Sequence, residues 1–139
     1  MYLTEKDLKD NFWKKYNYNN RALKFQFEFI QSGRSLDLIT GEKLGESYQL
    51  NAFEFKLTDI KKAIAQAKFN QEYFQKSWLV FPVDRKEVIE NKYLSEIKSS
   101  GLGLIFVSDD GTFDLYLIAR NDKPRAISNE IIGWLLNGY

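Results

Sequence analysis

Two charged residues interrupt an apolar run in Asn51-Ala52-Phe53-Glu54-Phe55-Lys56-Leu57. Read as a strand, the run puts Glu54 and Lys56 side by side on one face and Phe53, Phe55 and Leu57 on the other, because residues two apart on a strand point the same way. Charges inside a sheet are costly unless paired, so this pair either satisfies itself in a structural network or serves chemistry. Asp37, seventeen positions before Glu54, adds a second carboxylate. With the helix expected to follow, these residues read as the edge of a metal-dependent site. The chain has no Cys and no His, which excludes disulfides, thiolate zinc sites, cysteine nucleophiles and the usual imidazole base. Any metal must be held by oxygens of Asp, Glu or backbone carbonyls, which points to Mg²⁺ or Mn²⁺ and away from Zn²⁺.

The elements that position these residues can be read from periodicity. Thr4 with Asp7 forms a capping pattern, and Leu8, Phe12, Trp13 and Tyr16 recur at helical spacing, which predicts a first helix ended by Asn17-Tyr18-Asn19-Asn20. Residues 22 to 30 alternate as a half-exposed strand, with Leu23, Phe25, Phe27 and Phe29 on one face. Ser32-Gly33 is a turn, Arg34 to Ile39 the second arm of a hairpin, and Gly41 to Gly45 the next turn. Tyr48 to Leu57 is the third strand. Thr58 or Asp59 caps a second helix reaching about Phe74, with Ile60, Ala63, Ile64, Ala67, Gln71 and Phe74 on one stripe. Ser77 to Val83 is a continuous apolar run that includes Pro82, the pattern of a central strand buried on both faces. Strand, helix and buried strand in succession predict a right-handed parallel crossover. A third helix over 84 to 100 stops at Gly101. A hairpin of 102 to 107 and 113 to 119 turns at Asp109-Asp110-Gly111, and Asn129 caps a short last helix containing Ile131, Ile132, Trp134, Leu135 and Leu136. The order αβββαβαββα is a mixed α/β architecture in one domain over residues 1–139.

Composition bounds the rest. With 139 residues and 44% hydrophobic residues, the chain is the size of one soluble domain. It contains no run of about 18 uninterrupted apolar residues, and its start lacks the apolar core of a signal peptide, so a cytoplasmic location is expected. The net charge of +1 exerts little pull on a polyanion. Residues 1 to 80 hold 13 Lys/Arg against 10 Asp/Glu, and the remainder 7 against 9, so the half with the candidate site is mildly basic.

An acidic residue near the end of one strand, a Glu-Phe-Lys on the next, a helix carrying Gln66 and then a buried strand resemble the PD-(D/E)xK nuclease superfamily. Its restriction-endonuclease-like fold has an αβββαβ core, here spanning about residues 4 to 107 with a mixed central sheet flanked by helices. The C-terminal β-hairpin and short helix would be additions to it. The resemblance implies that Asp37 and Glu54 are metal carboxylates, with the Phe55 carbonyl a further ligand for Mg²⁺ or Mn²⁺. It also implies that Lys56 sits near the attacking water and that Gln66 is the helix glutamine of several branches. Glu5 is the counterpart of a first-helix Glu used in some branches. Two positions depart from the pattern: Asn70 stands where some branches place Tyr, and Leu36 precedes Asp37 where Pro is expected.

The function implied is a divalent-metal-dependent nuclease, with DNA the expected substrate and endonucleolytic cleavage the expected mode. The alternative is a catalytically inactive nucleic-acid-binding or interaction module on the same scaffold. A third is an unrelated α/β protein in which Glu54 and Lys56 form a structural ion pair and Asp37 closes a turn. Gln66, Tyr73, Lys61, Lys62 and Lys68 fit either a substrate-facing flank or a solvated helix face. With no segment left over for a recognition domain, either a homodimer or a targeting partner is expected.

Overall fold

A computed structural model describes residues 1–124, 126 and 128–137 of the chain. Thr4 caps the first helix, α1 (Glu5–Tyr16), by accepting from the Asp7 N–H at 3.0 Å, and Leu8, Phe12 and Tyr16 turn inward. Strands β1 (Ala22–Gln31) and β2 (Arg34–Leu44) form an antiparallel hairpin through Ser32 and Gly33, whose φ values of 53° and 75° suit a two-residue turn. β3 (Ser47–Phe55) runs antiparallel to β2. Asp59 caps α2 (Ile60–Asn70), which crosses to β4 (Lys76–Pro82), and β4 lies parallel to β3. A 3-10 turn (Val83–Arg85) leads into α3 (Lys86–Lys92) and α4 (Leu94–Ser100). β5 (Gly103–Val107) is parallel to β4, β6 (Phe113–Leu117) is antiparallel to β5, and α5 (Asn129–Asn137) follows. The described residues form an α/β fold with five α-helices and an open mixed sheet of six strands, ordered β1-β2-β3-β4-β5-β6.

The sheet separates two helical layers. Phe53 and Phe55 of β3 face α1 together with Leu38, Trp78, Val80, Ile105 and Val107. The ring of Phe12 lies 5.9 Å from that of Phe53 and 5.6 Å from that of Phe55. The other face carries Leu79, Phe81, Leu104 and Phe106 beneath α2, α3 and α4, and Ile39 and Ala52 beneath Trp134 of α5. Each fully buried aliphatic or aromatic side chain contributes about 1.5–3 kcal/mol, which makes these faces the main source of stability.

Several sequence expectations shift in register. Gly41 is not a turn residue: β2 continues to Leu44, and the bend falls at Gly45, φ 62°. Gly41 instead lies within the strand, where a Cβ would make ordinary contacts with Lys24, Leu50 and Trp134. α2 stops at Asn70 because Glu72 and Tyr73 bond three residues back, to Phe69 and Asn70, and this tighter turn swings Phe74 into the core. Gln71 lies off the buried stripe, and Asn70 takes its place. The third helix breaks at Tyr93, φ −126°. On a straight helix Ile89 and Ile97 would diverge by about 80°, and the break lets both be fully buried. β6 ends at Leu117 rather than Ala119. Ser128, not Asn129, caps α5, its Oγ accepting from the Ile131 N–H at 3.1 Å. Among the described residues no helix is long and apolar enough to cross a membrane.

Candidate active site

The expected single face of β1 does not hold, and the break falls at the site. Phe25 and Phe27 pack against Trp13 of α1, whereas Phe29 joins Leu36 and Trp134 on the opposite face. In β2, Leu38 faces α1 and Leu36 does not. Residues two apart on a strand share a face, so both strands roll over between these positions. The residues at the roll are Glu28, with φ 52°, and Asp37. The pairings Phe27↔Leu38 and Phe29↔Leu36 set Glu28 opposite Asp37 on one side, and Leu38↔Phe53 extended by one step sets Glu54 opposite it on the other. A non-glycine residue in the left-handed region costs of order 1 kcal/mol and persists only where its surroundings hold it.

Those surroundings are a chain of charges. Beyond the last β2–β3 pair, Asp37 Oδ2 accepts from the Phe55 N–H at 2.8 Å, so a side chain makes the bond that a backbone carbonyl would otherwise make. Asp37 Oδ1 lies 3.5 Å from the Lys9 ammonium of α1, which also lies 2.6 Å from Glu28 Oε1. Ser35 Oγ donates to Glu28 Oε2 at 3.0 Å. Burial works against the Lys9 ammonium, but the Glu28 hydrogen bond and the Asp37 and Glu28 charges outweigh it, so its pKa is raised. Burial likewise disfavours charge on Glu28, and Lys9 outweighs it, leaving the Glu28 pKa lowered.

Glu54 is 2% exposed. Its Oε1 accepts from Asn70 Nδ2 at 3.2 Å, and Asp37 stands beside it on the neighbouring strand. Burial and then the Asp37 charge push its pKa up to about 8, against the opposing pull of Asn70 and Lys56. Two carboxyl groups on adjacent strands therefore disfavour each other's charge, Glu54 buried and Asp37 partly so.

Lys56 departs from the expected strand geometry. It is the first residue past β3, with its N–H donating to Val80 O at 3.2 Å, and its ammonium lies 3.7 Å from Glu5 Oε2 on α1. It acts on Glu54 through its charge; among the described residues the two form no ion pair. Gln66 stands one turn before Asn70 on α2, and its Oε1 is buried without a hydrogen-bond partner. Asp37, Glu54 and the Phe55 backbone thus lie together, with Lys56 and Glu5 on the α1 side and Asn70 on the α2 side. Lys9, Glu28 and the donor role of Asn70 were not singled out from sequence. The i, i+4 spacing of Glu5 and Lys9 on α1 was the available signal for Lys9.

The donor set fits a hard divalent ion. Among the described residues no three acidic side chains converge into a cage, but Mg²⁺ typically takes one or two carboxylates and fills its remaining positions with water and substrate oxygens. A divalent ion held by Asp37 and Glu54 would offset the charge that burial and Asp37 disfavour on Glu54. A separate apolar groove of about 580 Å³, lined by Leu23, Tyr48, Leu50, Pro124 and Leu135 among others, shares no residue with this cluster. Comparison with family models, curated proteins and solved structures found no match to this chain.

Proposed function

We propose that this chain is a Mg²⁺- or Mn²⁺-dependent nuclease of the PD-(D/E)xK type, with a restriction-endonuclease-like core, that hydrolyses phosphodiester bonds, DNA being the expected substrate. The approach of Asp37 to the buried Glu54 carboxyl from the neighbouring strand, close enough for the Asp37 charge to raise the Glu54 pKa, carries the reading. The order α1-β1-β2-β3-α2-β4, with β3 and β4 parallel, agrees with the αβββαβ core that the sequence resembles.

Bound Mg²⁺ supplies Lewis-acid polarisation of a phosphate and eases deprotonation of water. The side chains do the rest. Asp37 and Glu54 present oxygens to the cation, and the Phe55–Lys56 peptide, whose carbonyl would be the third ligand, is held by the Lys56 N–H donating to Val80 O at 3.2 Å. Lys56, steadied by Glu5, stabilises negative charge on the phosphate and orients the attacking water. Gln66 offers an unused carbonyl oxygen to a water proton. No step requires imidazole or thiol.

The direct test is cleavage of plasmid and linear DNA, with RNA in parallel, in Mg²⁺ or Mn²⁺ and in EDTA. Metal-dependent cleavage is expected, falling at least about 100-fold in Asp37→Ala, Glu54→Ala and Lys56→Ala proteins that remain folded by circular dichroism. Undiminished cleavage by Glu54→Ala, or none by the wild type with either metal, would sink the assignment.

A further inference from the structure

We propose that Lys9 is a built-in counter-ion of the candidate metal site: its ammonium holds the Asp37 carboxylate in place when no metal is bound and competes with a divalent cation for it. The inference rests on the metal-site reading above. Lys9 is unlike its neighbour Lys6 on α1: its side chain is 13% exposed, against 81% for Lys6, whose partner is the exposed Asp10 one turn on. Burying an ammonium is costly unless it is paired, and Lys9 is paired twice.

The two contacts are unequal. The 2.6 Å approach to Glu28 is a firm charge-assisted hydrogen bond, whereas the 3.5 Å separation from Asp37 Oδ1 is a looser ion pair. Glu28, its side chain 58% exposed, is also held by Ser35, which donates to its second oxygen. The Lys9–Glu28 pair is therefore the anchor, and the Asp37 oxygen is the exchangeable partner. Asp37 Oδ2 is already committed to the Phe55 N–H, so Oδ1 is the oxygen most readily turned toward a metal. A cation arriving there meets the largely buried Lys9 ammonium a few ångströms away, and the two like charges repel. Lys9 is thus a positioning residue that sets metal affinity.

The test is Mn²⁺ titration by calorimetry at fixed pH and ionic strength, on wild type, Lys9→Met, Lys9→Gln and Lys9→Arg, with melting curves in EDTA. Lys9→Met keeps the apolar stem and removes the charge. It is expected to bind Mn²⁺ about tenfold tighter than wild type while melting lower without metal. Lys9→Gln, the second neutral variant should Lys9→Met fail to fold, is expected to behave likewise. Lys9→Arg, which keeps the charge, should stay within about threefold of wild type. A residue serving only to pack α1 on the sheet would not tighten metal binding when removed. Wild-type binding that the neutral variants leave unchanged or weaken overturns this inference alone; no Mn²⁺ binding by any of the proteins overturns the metal reading with it.

Discussion

On one face of β3, Phe53 and Phe55 are sealed against Phe12, Tyr16 and Trp78; on the other, Ala52 is followed by Glu54, which is almost as completely buried. The first face needs nothing more, since apolar contact and exclusion of water hold it at any pH. The second contains a carboxyl group beside another carboxyl group, with an amide donor and a nearby ammonium as partial compensation. Burial stabilises the chain where side chains are apolar and costs stability where a charge must form. One strand therefore supplies rigidity with Phe53 and Phe55 and a buried carboxyl group with Glu54.

Removing a ring from the apolar face should have the largest effect. Phe53→Ala is expected to lower unfolding free energy by about 3–5 kcal/mol in urea titrations, equally with and without Mg²⁺. A loss under about 1 kcal/mol would mean that this face is not the structural one.

The polar face should show itself through pH. The folded chain holds the Glu54 proton up to about pH 8, whereas an unfolded chain releases it near the ordinary carboxyl value of 4.5. The folded state therefore binds the extra proton between these values. Its contribution is complete below the lower pH, declines as pH rises, and is gone above about 8. At about 1.4 kcal/mol per pKa unit this is a loss of a few kcal/mol in EDTA. Glu54→Gln should flatten the slope, and Mg²⁺ should restore wild-type stability most at the alkaline end. An unchanged pH profile in Glu54→Gln would contradict this reading of the face.

Smaller effects should sharpen the contrast. Asn70→Ala removes the amide donor to Glu54 and should cost about 1–3 kcal/mol, more at pH 8 than at pH 5, by thermal denaturation. Glu5→Gln touches a partly exposed ion pair and should change stability by at most about 1 kcal/mol. Its effect should appear in turnover, if Glu5 steadies Lys56.

The apolar face was legible in the sequence because alternation, capping residues and continuous hydrophobic runs are local signals. Thr4, Asp59 and the run through Val80 each announce their element without reference to distant residues. The polar face was legible in its members and not in its mechanics. Asp37, Glu54 and Lys56 stand out by type and spacing, but the roll of β1 and β2 at Glu28 and Asp37 depends on Lys9 reaching in from another element. Likewise, Gly41 reads locally as a turn residue, yet it pairs with Lys24 and Leu50 inside the sheet, a placement set by strand partners and not by its neighbours in the chain. Asn70 departs from the family pattern, and its place on the buried stripe of α2 with Ala63 and Ala67 brings it to Glu54.

Whether Asp37 and Glu54 take a divalent ion is read most plainly by anomalous diffraction from crystals soaked in MnCl₂. One strong peak is expected between the Asp37 and Glu54 carboxylates and the Phe55 carbonyl, absent from Glu54→Gln crystals. Wild-type crystals with no peak there at saturating Mn²⁺ would rule the metal site out.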